Sequence, residues 1–224
     1  GNQTNNTAYG SGAAYVFTRT GTTWSQQAYL KASNTDPNDR FGFGLSLNSD
    51  GSTLAVGASS ESSNAIGING DQTDNSSTKS GATYIFTRTG ATWTQQAYLK
   101  ASNTDSNDYF GLRLTFSSDG NTIAISALES SNATGINGNQ TDNSLAPSVY
   151  AGTGAVYLFT RTGTTWSQQA YLKASNTGGN DNFGIAPVLS ADGNTLAIGA
   201  WHEASNATGI NGDQTDNSLA PSGN

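Results

Sequence analysis

Three copies of one segment run through this chain, and they constrain its fold more than any other feature. Tyr15-Val16-Phe17-Thr18-Arg19-Thr20-Gly21 recurs at residues 84–90 and 157–163, at spacings of 69 and 73 residues. Self-similarity at a long fixed period marks a solenoid, a propeller or an array, in which each unit buries its apolar face against its neighbour. Each copy holds four short segments rich in aromatic and β-branched residues. In the first copy these are residues 13–20, 24–32, 42–47 and 52–58, bounded by Gly, Asn or Asp. Such segments read as strands, and helical periodicity is absent throughout.

The turns agree with this. Ser49-Asp50-Gly51-Ser52 joins the third and fourth segments and recurs at residues 118–121 and 191–194. Asp-Gly between apolar strands is a strong hairpin signal, because Gly accepts positive φ and Asp tolerates it. Thr20-Gly21-Thr22 joins the other two segments. Alternation predicts that Phe41, Phe43, Leu45 and Leu47 face one way and Gly42, Gly44 and Ser46 the other. A bulky face against a flat one lets sheets stack closely, as propeller blades do. By the same reasoning Trp24, Gln26, Ala28 and Leu30 share a face, with Tyr29 and Lys31 opposite.

Phe41-Gly42 followed by Val56-Gly57-Ala58 resembles the FG-GAP repeat of integrin α-chain β-propellers and their bacterial relatives. The pairing recurs as Phe110-Gly111 with Ile125-Ser126-Ala127 and as Phe183-Gly184 with Ile198-Gly199-Ala200. Residues 24–34 and 166–176 are similar to bacterial surface proteins of that group. The resemblance implies one four-stranded blade per repeat, and extracellular adhesion or ligand binding, often with calcium. The chain departs from it twice. Ser59, Leu128 and Trp201 stand where the family has Pro. The family's Asp-rich calcium hairpin has here a single Asp in each copy, Asp50, Asp119 and Asp192. One carboxylate cannot supply the roughly 6–8 oxygen ligands calcium takes, so that site is not carried onto these hairpins.

The expected fold is all-β, with propeller blades of four antiparallel strands and about three blades per chain. In the family's frame, residues 1–32 are an outer half-blade, 41–101 and 110–174 are whole blades, 183–200 are an inner half-blade, and 201–224 are loop and tail. The ends are complementary halves, and residues 212–217 repeat the pattern of 1–6. Propellers have typically four or more blades, so the ring is to be completed by another chain or by missing repeats. A homo-oligomeric ring by half-blade exchange, an open filament and a longer parent chain are the three outcomes.

Composition narrows the function classes. The formal net charge is −7, with 11% charged residues and no basic patch, which argues against nucleic acid. No apolar run approaches the roughly 18 residues of a membrane span, so no membrane insertion is expected. The absence of Cys excludes disulfides and thiolate metal sites. Abundant Asn, Thr and Gly with little Lys point to an extracellular or cell-surface protein.

No nucleophile, base and acid fall in a known catalytic pattern, so no enzyme activity is expected. Trp201 and His202 are specific to the third copy and are candidate ligand contacts, with an exposed loop as the bland alternative. The long loop 61–75 has counterparts at 129–143 and 203–217, all keeping Glu, Gly-Ile-Asn-Gly, Gln-Thr and Asp-Asn. Two readings stay open. Either Asn, Asp and Gly build turns, or Glu61, Asp71, Asp74, Glu129, Asp142, Glu203, Asp213 and Asp216 bind Ca2+ together with backbone carbonyls. Recent duplication also accounts for part of the likeness. Asp39, Asp108 and Asp181 precede each Phe-Gly and are expected to cap turns. Sequons at Asn2, Asn5, Asn75, Asn132, Asn139 and Asn206 are candidate glycosylation sites. Trp24, Trp93 and Trp166 pack between blades or form a sugar-stacking ring. The leading expectation is an extracellular binding or adhesion module that recognises a glycan or surface protein. The alternative is a structural surface or filament subunit, with a calcium-dependent lectin or enzyme accessory domain behind it.

Overall fold

A computed structural model describes residues 3–142 and 152–215. Every element in them is a strand: β1 (Ala14–Thr20), β2 (Thr23–Leu30), β3 (Phe41–Leu47), β4 (Thr53–Ala58), β5 (Ala82–Thr89), β6 (Thr92–Leu99), β7 (Leu114–Phe116), β8 (Thr122–Ala127), β9 (Ala155–Thr162), β10 (Thr165–Leu172), β11 (Val188–Leu189) and β12 (Leu196–Ala197). They form two four-stranded antiparallel sheets, β3-β4-β5-β6 and β7-β8-β9-β10, flanked by the two-stranded sheets β1-β2 and β11-β12. Two whole blades thus stand between an outer and an inner half-blade, and the sheets remain open.

The blades stack in chain order. One core joins Ala14 and Leu30 of the first half-blade to Phe41, Val56, Tyr84 and Tyr98 of the first whole blade. A second joins the other face of that blade, through Ala55, Ile85, Ala97 and Leu99, to Phe110, Ile125, Tyr157 and Tyr171. Small residues therefore meet aromatic ones at both junctions. Gly57 permits a close approach of the two whole blades, because a Cβ there would lie 2.0 Å from the Gly111 carbonyl oxygen. The Asp-Gly turns stitch the inner strands together: Ser49 N–H donates to Ser118 O and Ser118 N–H to Ala191 O.

Bulges overturn both predicted alternations. Phe41 pairs with Ala58 and Gly44 with Gly57, leaving Gly42 and Phe43 as the irregularity, with Gly42 at φ 95°. Phe41 is consequently buried, while Phe43, Leu45 and Leu47 stay about half exposed on the other face. In β2, β6 and β10 the second Gln of each Gln-Gln pair (Gln27, Gln96, Gln169) has no cross-strand partner. An extra residue in one strand reverses which side its neighbours face. Trp93 therefore packs with Tyr98, whereas Ala97 and Leu99 pack into the opposite core. Trp24 does not share the face of Ala28 and Leu30 that simple alternation assigns it.

Candidate functional site

Each whole blade contains a buried polar node between its inner and outer strand pairs. Lys100 Nζ lies 3.0 Å from Glu61 Oε2, and both side chains are buried. Lys100 also donates to Ser80 Oγ at 2.7 Å, and Asn34 Nδ2 donates to Glu61 Oε1 at 3.1 Å. The Tyr84 hydroxyl closes the node by donating to Asn34 Oδ1. The second blade repeats it with Lys173 and Glu129 at 2.9 Å, Asn103, Thr153 and the Tyr157 hydroxyl. Tyr171 adds a hydroxyl bond of 2.9 Å to Glu129 Oε2. Burial lowers the pKa of both lysines, and the facing glutamate works against that shift. Sequence reasoning missed this role. The available signal was that Lys31, Lys100 and Lys173 occupy one repeat position in a chain with only four lysines.

The node commits Glu61 and Glu129 inward, away from the loop carboxylates. Asp71 accepts from the N–H and hydroxyl of Thr73, and Asp74 accepts from Asn64 N–H and from Ser76. Asp213 holds Thr215 in the same way as Asp71 holds Thr73. These bonds keep the pKa of Asp71, Asp74 and Asp213 below the ordinary aspartate value. Glu203 accepts from Asn176 Nδ2 at 2.9 Å, and Asp142 lies near enough to Lys173 to feel its charge. Among the described residues no three acidic, His or Cys side chains are grouped to hold a metal. Asp216 lies outside the described residues. The loops are nonetheless built alike: Asn69 and Asn137 sit at positive φ and clasp Tyr98 and Tyr171 through both backbone and side chain.

Asp39, Asp108 and Asp181 each accept from the N–H three residues earlier, which caps the turn before Phe-Gly. Burial raises Asp39 to about 7 and Asp108 to about 8. The hairpin residues Asp50, Asp119 and Asp192 accept from the N–H two residues on. Asn5, Asn75, Asn132, Asn139 and Asn206 are all exposed on loops, and Asn2 lies outside the described residues. Trp93 donates to Gln27 Oε1 and Trp166 to Gln96 Oε1, each at 3.0 Å, so these indoles bridge successive sheets through the bulged glutamines.

One place where the copies differ in chemistry lies where their sheets meet. A cleft of about 160 Å³ opens where the segments flanking the Phe-Gly and Gly-Ala strands of three sheets converge. Arg40, Tyr109 and Asn182 occupy its equivalent positions, each at positive φ (59°, 53° and 55°). Phe43, Leu112 and Ile185 form its apolar lining, and Ser59, Leu128 and Trp201 its third set of equivalents. Arg113 spreads its guanidinium over the Phe43 ring at 5.6 Å. Trp201, 65% exposed, stacks on His202 with centroids 4.1 Å apart. His202 Nδ1 in turn lies 3.2 Å from Asn182 Nδ2. Of the two predicted ligand residues, Trp201 lines the cleft and His202 backs it. Arg40, Phe43 and Arg113 were missed, although lining up the three copies at these positions shows the divergence.

The FG-GAP repeat is the family whose model matches the chain, at residues 24–86, 93–159 and 166–214. No curated protein matches it.

Proposed function

The chain belongs to the FG-GAP repeat family, and on that premise we propose that it is an extracellular, non-catalytic adhesion module that binds a glycan in the cleft lined by Trp201, Phe43 and Arg113. The observation that carries this reading is the divergence of the cleft. Backbone conformation is repeated there, as the shared positive φ at residues 40, 109 and 182 shows, while the side chains change from copy to copy. A scaffold position that keeps its shape and varies its chemistry suits recognition more than packing. An indole face exposed beside guanidinium and amide donors suits the apolar faces and hydroxyls of a sugar ring. The absence of any membrane-crossing helix among the described residues is compatible with this placement.

The test is a glycan array probed with the chain and with Trp201→Ala, followed by titration of the best glycan with tryptophan fluorescence as readout. The expected result is selective binding that falls by about tenfold or more in Trp201→Ala while the melting temperature is unchanged. An array without hits, or hits indifferent to Trp201→Ala, would overturn the glycan reading and direct the search to a protein partner. The proposed binding does not depend on calcium, because Glu61 and Glu129 are held by lysines. A chelator should leave both the melting temperature and the titration unchanged.

A further inference from the structure

One buried carboxylate in each whole blade holds an amine with one oxygen and a primary amide with the other. Glu61 Oε2 accepts from Lys100 Nζ at 3.0 Å, and Glu61 Oε1 accepts from Asn34 Nδ2 at 3.1 Å. Glu129 repeats this, with Lys173 Nζ at 2.9 Å and Asn103 Nδ2 at 3.2 Å. A phenol holds the other end of each amide. The Tyr84 hydroxyl donates to Asn34 Oδ1, and the Tyr157 hydroxyl donates to Asn103 Oδ1 at 2.6 Å. The glutamates, lysines and tyrosines of both sets are buried.

A simple ion pair leaves a donor over. An ammonium carries three N–H groups, and a buried donor without a partner costs free energy. Among the described residues Lys100 Nζ donates to Glu61 and Ser80, and Lys173 Nζ to Glu129 and Thr153. A neutral amine, with two N–H groups and a lone pair, suits two such partners. Burial lowers the pKa of both lysines, in the direction of that neutral form. A phenol bonded to a carboxamide oxygen makes the amide carbon more electrophilic, and it stands where negative charge collects when a nucleophile adds. Each set thus gathers a nucleophile, a proton carrier, an electrophile and an oxyanion donor in a site that burial keeps from water.

We infer that Glu61 and Glu129 each drive an amide bond between the two groups they hold, joining Lys100 Nζ to Asn34 Cγ and Lys173 Nζ to Asn103 Cγ with loss of ammonia. In the first set Glu61 takes a proton from Lys100, and the amine lone pair forms a bond to Asn34 Cγ. The carbonyl electron pair moves onto Oδ1, beside the Tyr84 hydroxyl. Glu61 then passes its proton to Nδ2. The carbonyl re-forms, the Cγ–Nδ2 bond breaks, and the amide nitrogen leaves as ammonium with a second proton from Lys100. No oxidant or co-reactant is needed. Asn34 and Lys100 follow β2 and β6, so this bond ties the first hairpin to the next sheet; Asn103 and Lys173 follow β6 and β10 and tie that sheet to the one after it. In a chain without cysteine, such links close long loops and constrain the unfolded state as disulfides do.

Intact-mass spectrometry of the denatured chain, followed by a tryptic map, tests this. The mass should fall below that of the sequence by two molecules of ammonia. Trypsin should leave the chain uncut after Lys100 and Lys173, and residues 32–40 should emerge joined to 89–113, and these to the peptide that starts at residue 162. A succinimide at an Asn-Gly pair such as Asn69-Gly70 also loses ammonia but joins no peptides, so the linked peptides decide. Asn176, held by Glu203 with no lysine paired to that glutamate among the described residues, should keep its amide nitrogen. Glu61→Gln and Glu129→Gln keep the shape of the carboxylate without its proton carrier, and each should abolish one link. Stability alone does not separate an ion pair from a bond, because these variants remove both; the peptides do. Unlinked peptides with cleavage after both lysines in the unsubstituted chain would overturn the inference, and so would links that survive in the two Gln variants. The decisive map uses the unsubstituted chain, so a variant that fails to fold leaves the test intact. None of these readouts involves the glycan cleft.

Discussion

The blade formed by β7–β10 and the open half-blades at either end share one sequence pattern and differ in what covers them. Tyr157 is fully buried and Tyr15 is 52% exposed; Trp166 is 4% exposed and Trp24 is 64%. Glu129 meets a buried lysine, whereas Glu203, among the described residues, meets amide and backbone N–H groups. Residue type therefore does not fix burial in this fold. A blade's second strand pair does, by turning a surface carboxylate into one half of a desolvated ion pair.

The largest effect is expected where that desolvation is complete. Glu129→Gln removes the carboxylate but leaves Lys173 buried, which should cost about 3–5 kcal/mol. Glu203→Gln faces no lysine among the described residues and should cost under about 0.5 kcal/mol. Urea unfolding of both variants measures the gap, and similar losses would show that the node is not where blade stability resides. Next comes backbone contact. Gly57→Ala drives its Cβ to 2.0 Å from the Gly111 carbonyl oxygen, between two blades. Overpacking of that kind should cost about 3 kcal/mol. The equivalent Gly199→Ala meets nothing nearer than Ile185 Cγ2 at 3.7 Å and should be close to neutral.

The same contrast explains what was legible in the sequence. Strand positions and the Asp-Gly turns are local properties, and β1–β4 fall within about two residues of the segments expected. The bulges were not legible, because a strict two-residue period contains no sign that Gln27, Gln96 or Gln169 steps out of the ladder. That single omission put Trp24 on the wrong face. The node was half legible: the glutamates were seen as repeated, but their partners lie 39 and 44 residues away across the blade. Without those partners, nothing in the sequence separates Glu61 and Glu129 from the loop aspartates. In the cleft, Trp201 was visible as a substitution for the family's Pro, while Arg113 hid inside what read as an ordinary strand.

Protonation separates the same regions. Burial raises the Asp108 carboxyl from 3.8 to about 8, whereas the exposed turn residue Asp192 is lowered by its Ser190 and Asn194 hydrogen bonds. A carboxyl raised in the folded state contributes stability that is full below its unfolded value and is lost as pH rises through its folded value. Asp108 should therefore make the chain progressively less stable from about pH 4 to about pH 8. Asp108→Asn keeps an oxygen for the Asp105 N–H and removes the charge, so the thermal melt should flatten over that window. The expected gain is about 1–2 kcal/mol at pH 8.5. Asp181 is also raised by burial, and its Asn variant should show the same sign with a smaller gain. An unchanged pH profile in Asp108→Asn would mean that the carboxyl titrates normally.

The smallest effect concerns the indoles that tie one sheet to the next. Trp166 is buried, donates to Gln96 Oε1 at 3.0 Å and lies under the Arg161 guanidinium at 5.2 Å. Arg161 Nη1 donates to the same Gln96 oxygen, so Trp166→Phe removes one donor without orphaning the acceptor. The cost should be about 1 kcal/mol, the net worth of one hydrogen bond with some packing. Trp24→Phe leaves the Arg19 contact at 5.8 Å as the main thing altered and should not change the melting of the dilute chain. Equal thermal shifts for the two variants in the dilute chain would mean that the indoles contribute through their own hairpins, and the blade-to-blade bridge would carry no stability of its own.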